Sequence, residues 1–223
     1  MNLHPAIVCW LLLSQLVLSS ALQAEVLERR TYLGLRFDLS DGNGPGLLVE
    51  QVLPGSTAAT AGMRAGDRLT SVGSVDVLEA FDELRAELAR TPAGQRIPLR
   101  WYRGSHRVIR VSPPLATLPA EQVPGSLVRY DAIDVDGIPQ RLIVSEPVAG
   151  ARGLVLFLSG LACASYDFWQ ETDSPIKKLI DGWAGAGFAT ARLEKRGEGD
   201  SAGPPCSELS FDDERRGYAA ALS

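Results

Sequence analysis

The chain has 223 residues, of which 45% are hydrophobic, and a formal net charge of -5. This composition supplies enough apolar material for two modest domains. The acidic residues are spread along the sequence without a long run of like charge, which argues against a nucleic-acid-binding surface or an acidic tail. We therefore expect peptides or small molecules as partners, and no nucleic acid.

The first 24 residues have the pattern of a signal peptide. An apolar run from Ala6 to Leu18 is followed by small residues between positions 19 and 24. We predict that residues 1–24 direct export and that the mature protein is periplasmic or secreted. The less favoured alternative is an uncleaved membrane anchor. The apolar run spans about 13 residues, whereas a helix that crosses a bilayer needs about 20.

Short strands around one main helix are predicted between residues 31 and 112. In one strand Ile97, Leu99 and Trp101 alternate with polar residues or proline, which predicts one buried face, and Pro98 indicates an edge position. The helix is predicted from Leu78 to Arg90, because Leu78, Phe81, Leu84 and Leu88 recur at helical spacing. The predicted strands are Thr31–Phe37, Leu47–Val52, Arg68–Val72, Arg96–Tyr102 and His106–Val111.

Residues 52–69, V-L-P-G-S-T-A-A-T-A-G-M-R-A-G-D-R-L, resemble the PDZ domains of bacterial exported proteases. The resemblance implies a small α+β PDZ domain over residues 31–115 that binds the C-terminus of a peptide or protein. Within it, Tyr32, Leu33, Gly34 and Leu35 resemble the carboxylate-binding loop of the family. Such a loop turns successive backbone N–H groups toward an anion, while the adjoining strand accepts the peptide as an extra strand. The alternative is an ordinary first strand with buried apolar residues.

A Pro-rich stretch between residues 113 and 125 predicts a semi-rigid linker, placed at residues 116–126. In the second unit, residues 127–223, strands alternate with helices, which favours a parallel α/β sheet. The run Gly153–Leu158 is typical of a fully buried strand. The predicted strands are Leu127–Val135, Gln140–Val144, Gly153–Leu158 and Phe188–Leu193. One helix is predicted to begin at Ser174-Pro175, with a buried stripe of Ile176, Leu179, Ile180 and Trp183. A second helix is predicted over Asp212–Leu222.

Two motifs of the second unit resemble the N-terminal part of an α/β-hydrolase of the exported serine hydrolase kind. They are L-S-G-L at 158–161 and E-K-R-G-E-G-D-S at 194–201. The resemblance implies a partial α/β-hydrolase sheet, a small acyl or peptide substrate, and neither cofactor nor metal. It also implies that Gly160 and Leu161 belong to the oxyanion hole, with the N–H of Leu161 as the donor. The family often has His-Gly where this chain has Ser159-Gly160.

The sequence G-D-S-A-G at 199–203 satisfies the nucleophile motif G-x-S-x-G, but its context does not fit. Ser201 is followed by Pro204-Pro205 instead of a helix, and no histidine occurs after His106. We therefore predict a loop serine. We expect the chain to hold a recognition domain and the front of a catalytic domain, inactive alone and truncated before the nucleophile. The alternatives are a non-enzymatic exported PDZ adaptor, or a working Ser201 with an unseen base.

Cys163 and Cys206 are the cysteines that remain after the predicted signal peptide. In the hydrolase sheet the strands that precede them lie side by side, so the resemblance implies that the two loops meet and form a disulfide in an oxidising compartment. The alternative is two separate thiols. No metal site is predicted, because no histidine or further cysteine lies close to either residue in sequence.

Overall fold

The computed structural model describes residues 27–41, 44–78, 81–104, 107–160, 162–171 and 173–223. The predicted signal peptide, residues 1–24, lies outside these ranges, as do His106 and Leu161. Within them, no helix combines the length and apolar character needed to cross a membrane.

The first unit is built from short antiparallel strands and helices. Its main sheet has the strand order β2-β3-β4-β6-β7, with β5 also paired to β4, while β1 pairs with β8 in a separate ladder. The elements in chain order are β1 (Thr31–Tyr32), β2 (Leu35–Asp38), β3 (Leu47–Val52), α1 (Thr57–Thr60), β4 (Arg68–Val72), β5 (Val75–Asp76), α2 (Phe81–Arg90), β6 (Leu99–Arg103), β7 (Arg107–Val111) and β8 (Ala116–Thr117).

The motif at residues 52–69 forms the turn that joins β3 to β4 through α1. Ser56 caps α1, because its hydroxyl accepts a hydrogen bond from the backbone N–H of Ala59 at 3.1 Å. The buried carboxylate of Asp67 forms two bonds with the guanidinium of Arg103, at 2.8 and 2.7 Å. It also accepts the N–H of Arg64 at 2.9 Å. Such a two-point ion pair fixes orientation as well as distance, so Asp67 joins the turn to β6.

The core of this unit contains the predicted face Ile97, Leu99 and Trp101, each at most 3% exposed. The prediction that Pro98 marks an edge strand is wrong. Pro98 precedes β6, which lies between β4 and β7, and its carbonyl accepts the N–H of Gly73 at 2.8 Å. The predicted start of the main helix is also wrong, because Leu78 lies in an exposed turn before α2.

The second unit is a mixed sheet with helices. Its order is β9-β10-β12-β11, in which β11 and β12 are parallel and the other pairs are antiparallel. Asp136 and Gly137 both have positive φ in the two-residue turn between β9 and β10, as that type of hairpin requires. The elements are β9 (Ser126–Val135), β10 (Ile138–Pro147), β11 (Leu154–Phe157), α3 (Pro175–Gly185), β12 (Ala189–Leu193) and α4 (Phe211–Ala220), with a short 3-10 turn at Cys206–Glu208.

Two details of this unit differ from the sequence-based expectation. The sheet is parallel only between β11 and β12, since the β9–β10 hairpin runs antiparallel. The strand at 153–158 is not fully buried. It lies at the end of the strand order, and Leu154 and Leu158 are more than half exposed. On α3, Leu179 is likewise exposed, while Ile180 is fully buried.

The segment between the units, predicted as the linker 116–126, contacts both of them. Its start forms β8, and Val123 packs in the second core with Phe168 and Ile180. Between these points the buried carboxylate of Glu121 accepts hydrogen bonds from the guanidinium of Arg192 at 2.7 Å and from the N–H of Phe168 at 3.1 Å. The two units are therefore joined by a segment that packs against both of them.

Residues 27–30 also join the units, because they run along the second unit before β1 begins. The guanidinium of Arg29 lies 2.6 Å from the carboxylate of Asp200 and 2.7 Å from that of Asp167. The backbone N–H of Arg30 donates to Asp200 at 2.8 Å. The start of the first unit is thus held by charged groups of the second.

We predict that Glu121→Gln lowers the free energy of unfolding by about 3 kcal/mol, because it leaves the fully buried Arg192 without a counter-charge. Urea denaturation followed by circular dichroism measures this change. The control is Glu146→Gln, an exposed position on β10, which we expect to shift stability by less than about 0.5 kcal/mol. Equal losses of stability for the two substitutions would contradict a buried ion pair between Glu121 and Arg192.

Candidate functional site

An open pocket of about 260 Å³ lies between β2 and α2 of the first unit. Its walls include residues of β1, β2, α2 and the connection between β1 and β2, and also two residues of the second unit. The lining residues are Thr31, Tyr32, Leu33, Gly34, Leu35, Phe37, Leu84, Leu88, Trp169 and Gln170. The four residues predicted for the carboxylate-binding loop, 32–35, are therefore brought together in one wall.

The backbone of this loop has a fixed orientation, because three successive carbonyls are bonded to the segment 53–58. In a trans peptide the N–H points opposite to the carbonyl of the same unit. The N–H groups of Leu33, Gly34 and Leu35 consequently point away from that segment. The bonds run from Thr57 Oγ1 to the Tyr32 carbonyl at 2.7 Å, from Ala58 N to the Leu33 carbonyl at 3.0 Å, and from Leu53 N to the Gly34 carbonyl at 2.9 Å.

Gly34 is required at the centre of this loop for two reasons. Its φ is +73°, which residues with a side chain adopt only with strain. A Cβ at this position would also lie 2.1 Å from the Cβ of Ser56, far inside van der Waals contact. The loop is therefore packed directly against the residue that caps α1.

The strand next to the loop is open to a further strand. β2 stands at the end of the sheet order, and none of the described strands pairs with its outer edge. Across the pocket, α2 contributes Leu84, which is buried, and Leu88, which is half-buried. The hydroxyl of Thr31 donates to the carbonyl of Leu88 at 2.6 Å, which holds the last turn of α2 beside β1. The side chain of Phe81, one turn before Leu84 on α2, is outside the part of the chain that the structure describes.

Trp169 lines the pocket next to Tyr32. The two rings meet edge to face, with centroids 5.0 Å apart and an interplanar angle of 80°. Burial raises the pKa of the Tyr32 phenol above its usual value. Sequence reasoning missed Trp169, because nothing in its local sequence indicates contact with a groove more than a hundred residues away.

The predicted oxyanion-hole residues lie after β11. Gly160 is exposed, and its carbonyl accepts a hydrogen bond from the Lys195 ammonium at 2.6 Å. The hydroxyls of Ser159 and Tyr218 are hydrogen-bonded at 2.5 Å. Leu161, the predicted donor, is outside the described residues, so the oxyanion hole stays a prediction.

Ser201 lies in a buried network and has no histidine partner among the described residues. Its hydroxyl donates to the carbonyl of Glu194 at 3.0 Å and accepts the N–H of Arg141 at 2.9 Å. The Glu194 carboxylate accepts hydrogen bonds from the hydroxyl of Ser165 and the N–H of Asp200. Burial raises the pKa of the Glu194 carboxyl above its usual range, and these two hydrogen bonds oppose that shift. Ser201 thus connects β10 to the loop after β12.

The predicted disulfide between Cys163 and Cys206 is confirmed. It joins the loop after β11 to the short turn that follows β12. The carboxylate of Glu198 lies within 4.8 Å of both sulfur atoms, so the three side chains have the proximity of a metal site. Because the two sulfurs are bonded to each other, they do not offer thiolates to a metal.

Residues 48–103 match the family model of the PDZ domain. The first unit contains a PDZ domain. A probable periplasmic serine protease of Haemophilus influenzae, described as do/HhoA-like, is 34% identical over 49% of the chain and 25% of its own length. The Escherichia coli periplasmic serine endoprotease DegP is 40% identical over 28% of the chain and 13% of its own length. The periplasmic pH-dependent serine endoprotease DegQ of the same organism is 44% identical over 24% of the chain and 12% of its own length.

The chain thus spans a quarter or less of the length of these relatives. Among solved structures, a PDZ domain protein from Parabacteroides distasonis covers 73% of the chain and 38% of its own length, at 12% identity and a TM-score of 0.33. The match to the family model over residues 48–103 is accordingly the observation that identifies the PDZ domain of the first unit.

We predict that Gly34→Ala destabilises the PDZ domain by about 3 kcal/mol, of which about 1 kcal/mol reflects positive φ and the rest the contact with Ser56. Thermal and urea denaturation measure this change. Gly94→Ala is the matched control. Gly94 also has positive φ, at +78°, but a Cβ added there would have no atom within 4 Å, so we expect a loss of only about 1 kcal/mol. Equal losses would show that the loop is not packed as described.

Proposed function

We propose that the PDZ domain binds the free C-terminus of a peptide or protein, and that the chain carries this domain together with the front of an exported serine hydrolase domain. The observation that carries the first part is the orientation of the N–H groups of Leu33, Gly34 and Leu35. Three donors on successive peptide units, beside an apolar pocket, form a concave site suited to a carboxylate with an apolar side chain.

The geometry supports a specific mode of binding. The terminal carboxylate accepts hydrogen bonds from the loop at residues 33–35, and the preceding peptide residues pair with the outer edge of β2 as an additional antiparallel strand. The last side chain enters the pocket between β2 and α2, where Leu84 and Leu88 remove it from water. Main-chain pairing supplies affinity for any sequence, so selectivity resides in the pocket.

The first test compares decapeptides that share nine residues and end in Val or Leu, each as the free acid and as the amide. Hydrogen bonds to a charged group are worth about 1.5–3 kcal/mol, so we expect amidation to weaken binding by about 10- to 100-fold. Fluorescence anisotropy with labelled peptides measures the dissociation constants.

The control variant is Leu127→Ala, which shortens an exposed side chain on β9 and leaves affinity unchanged. Leu88→Ala, inside the pocket, weakens binding of the Leu-ending peptide. Equal binding of acid and amide would contradict carboxylate recognition.

We propose a periplasmic or secreted location. The named relatives are periplasmic proteases, the first 24 residues have the pattern of a signal peptide, and the chain contains a disulfide. An uncleaved anchor is the lesser alternative.

For the second unit we propose the N-terminal part of an α/β-hydrolase domain that acts on an ester or peptide bond. Its third and fourth strands, β11 and β12, lie side by side and parallel, as the resemblance requires. The motif at 158–161 follows β11, where a backbone donor is worth about 3 kcal/mol to an acyl-transfer transition state once the nucleophile is present. The alternative is a non-enzymatic exported adaptor, in which peptide binding is the whole activity.

We expect the chain to remain unlabelled by a fluorophosphonate probe, because the hydroxyl of Ser201 is buried and both donates and accepts hydrogen bonds. Intact-protein mass spectrometry detects the adduct. Labelling that is abolished by Ser201→Ala would instead establish a working nucleophile. The coding sequence beyond residue 223 separates the enzyme from the adaptor, because the enzyme requires a strand leading into G-x-S-x-G and a later histidine.

A further inference from the structure

We propose that Trp169 of the second unit is a specificity-determining wall of the peptide groove, so that the last side chain of a bound peptide contacts both units. This inference rests on the proposed peptide binding and goes beyond it, because the groove would be incomplete in the PDZ domain alone.

Trp169 is placed at the groove by contacts on both sides of the junction. Its ring meets Tyr32 edge to face, and it lines the same pocket as Leu84 and Leu88. The residues at 162–165 of the same loop, and Gln170 and Glu171 after Trp169, are exposed, whereas Trp169 itself is half-buried. The indole therefore lies between the solvent-exposed loop and the pocket.

The loop that carries Trp169 is held rigidly on its N-terminal side. Tyr166 and Phe168 are buried in the second core, and the N–H of Phe168 donates to the carboxylate of Glu121 at 3.1 Å. Asp167 accepts the hydroxyl of Tyr130 at 3.1 Å and forms an ion pair with Arg29 at 2.7 Å. A wall that is fixed before the ligand arrives costs little ordering entropy on binding.

The pocket beside Trp169 remains open, with a volume of about 260 Å³. An indole that acted as a plug would fill this space and would have to leave before a peptide could enter. The open space and the anchored loop instead favour a role as a wall. Because most of the other lining side chains are apolar, among them Phe37, Leu84 and Leu88, the complete pocket matches a peptide whose last residue is large and apolar.

The test measures binding of labelled decapeptides with free carboxylates, identical except for a last residue of Ala, Val, Leu or Phe, to the purified protein. Trp169→Ala should weaken the peptides that end in Leu or Phe by about 5- to 10-fold and the Ala-ending peptide by less than about 2-fold. Trp169→Phe, which keeps an aromatic ring, should stay within about 3-fold of the wild type.

The matched control is Phe211→Ala, which removes an exposed aromatic side chain of the second unit that does not line the pocket, and should change no affinity. As a second readout, the Phe-ending peptide should shift the Trp169 indole N–H signal in the NMR spectrum of the wild type, with the signal assigned by its loss in Trp169→Phe. This readout does not depend on the stability of the alanine variant.

If Trp169→Ala binds the peptides that end in Leu or Phe as tightly as the wild type or more tightly, or if the indole signal does not shift, Trp169 is not a wall of the groove. Peptide binding by the PDZ domain would then still stand. Failure of every free-acid peptide to bind the wild type would overturn the proposed function, and the wall with it.

Discussion

The carboxylate of Asp200 holds the start of the first unit against the second. It is almost completely buried and accepts hydrogen bonds from the guanidiniums of Arg29 and Arg141 and from the backbone N–H of Arg30. Three charge-assisted or backbone donors on one carboxylate offset the cost of removing it from water. Because β1 begins at Thr31, directly after Arg30, the position of Asp200 sets where the loop at residues 32–35 starts relative to the second unit.

Paired charges form part of the junction between the units. Arg29 of the first unit pairs with Asp167 and Asp200 of the second. Glu121 of the connecting segment pairs with Arg192, and both of these side chains are at most 1% exposed. Such pairs contribute little net stability compared with apolar residues, but they are costly in any arrangement that separates them. A junction of this kind therefore selects one relative placement of the units. The contact between Tyr32 and Trp169 depends on that placement.

Local sequence patterns predicted what depends on local structure. The alternation of Ile97, Leu99 and Trp101 carries its conformation within a few residues, whereas the motif at 52–69 was recognised by its resemblance to PDZ domains. The pairing of Cys163 with Cys206 followed from a family resemblance that placed two strands side by side. Burial of Leu154 and the position of the strand after Pro98 were predicted wrongly, because both depend on which neighbours a strand acquires in the sheet.

The tryptophan at the groove and the partners of Arg29 could not be predicted, because each contact joins residues far apart in sequence. The bonds of residues 29 and 30 to Asp200 span 171 and 170 positions. Contacts of such range close only after the intervening chain has folded, since they must first overcome the entropy of a long loop. The PDZ core can therefore form early in folding, whereas the proposed groove, which includes Trp169, is one of the last features of the chain to assemble.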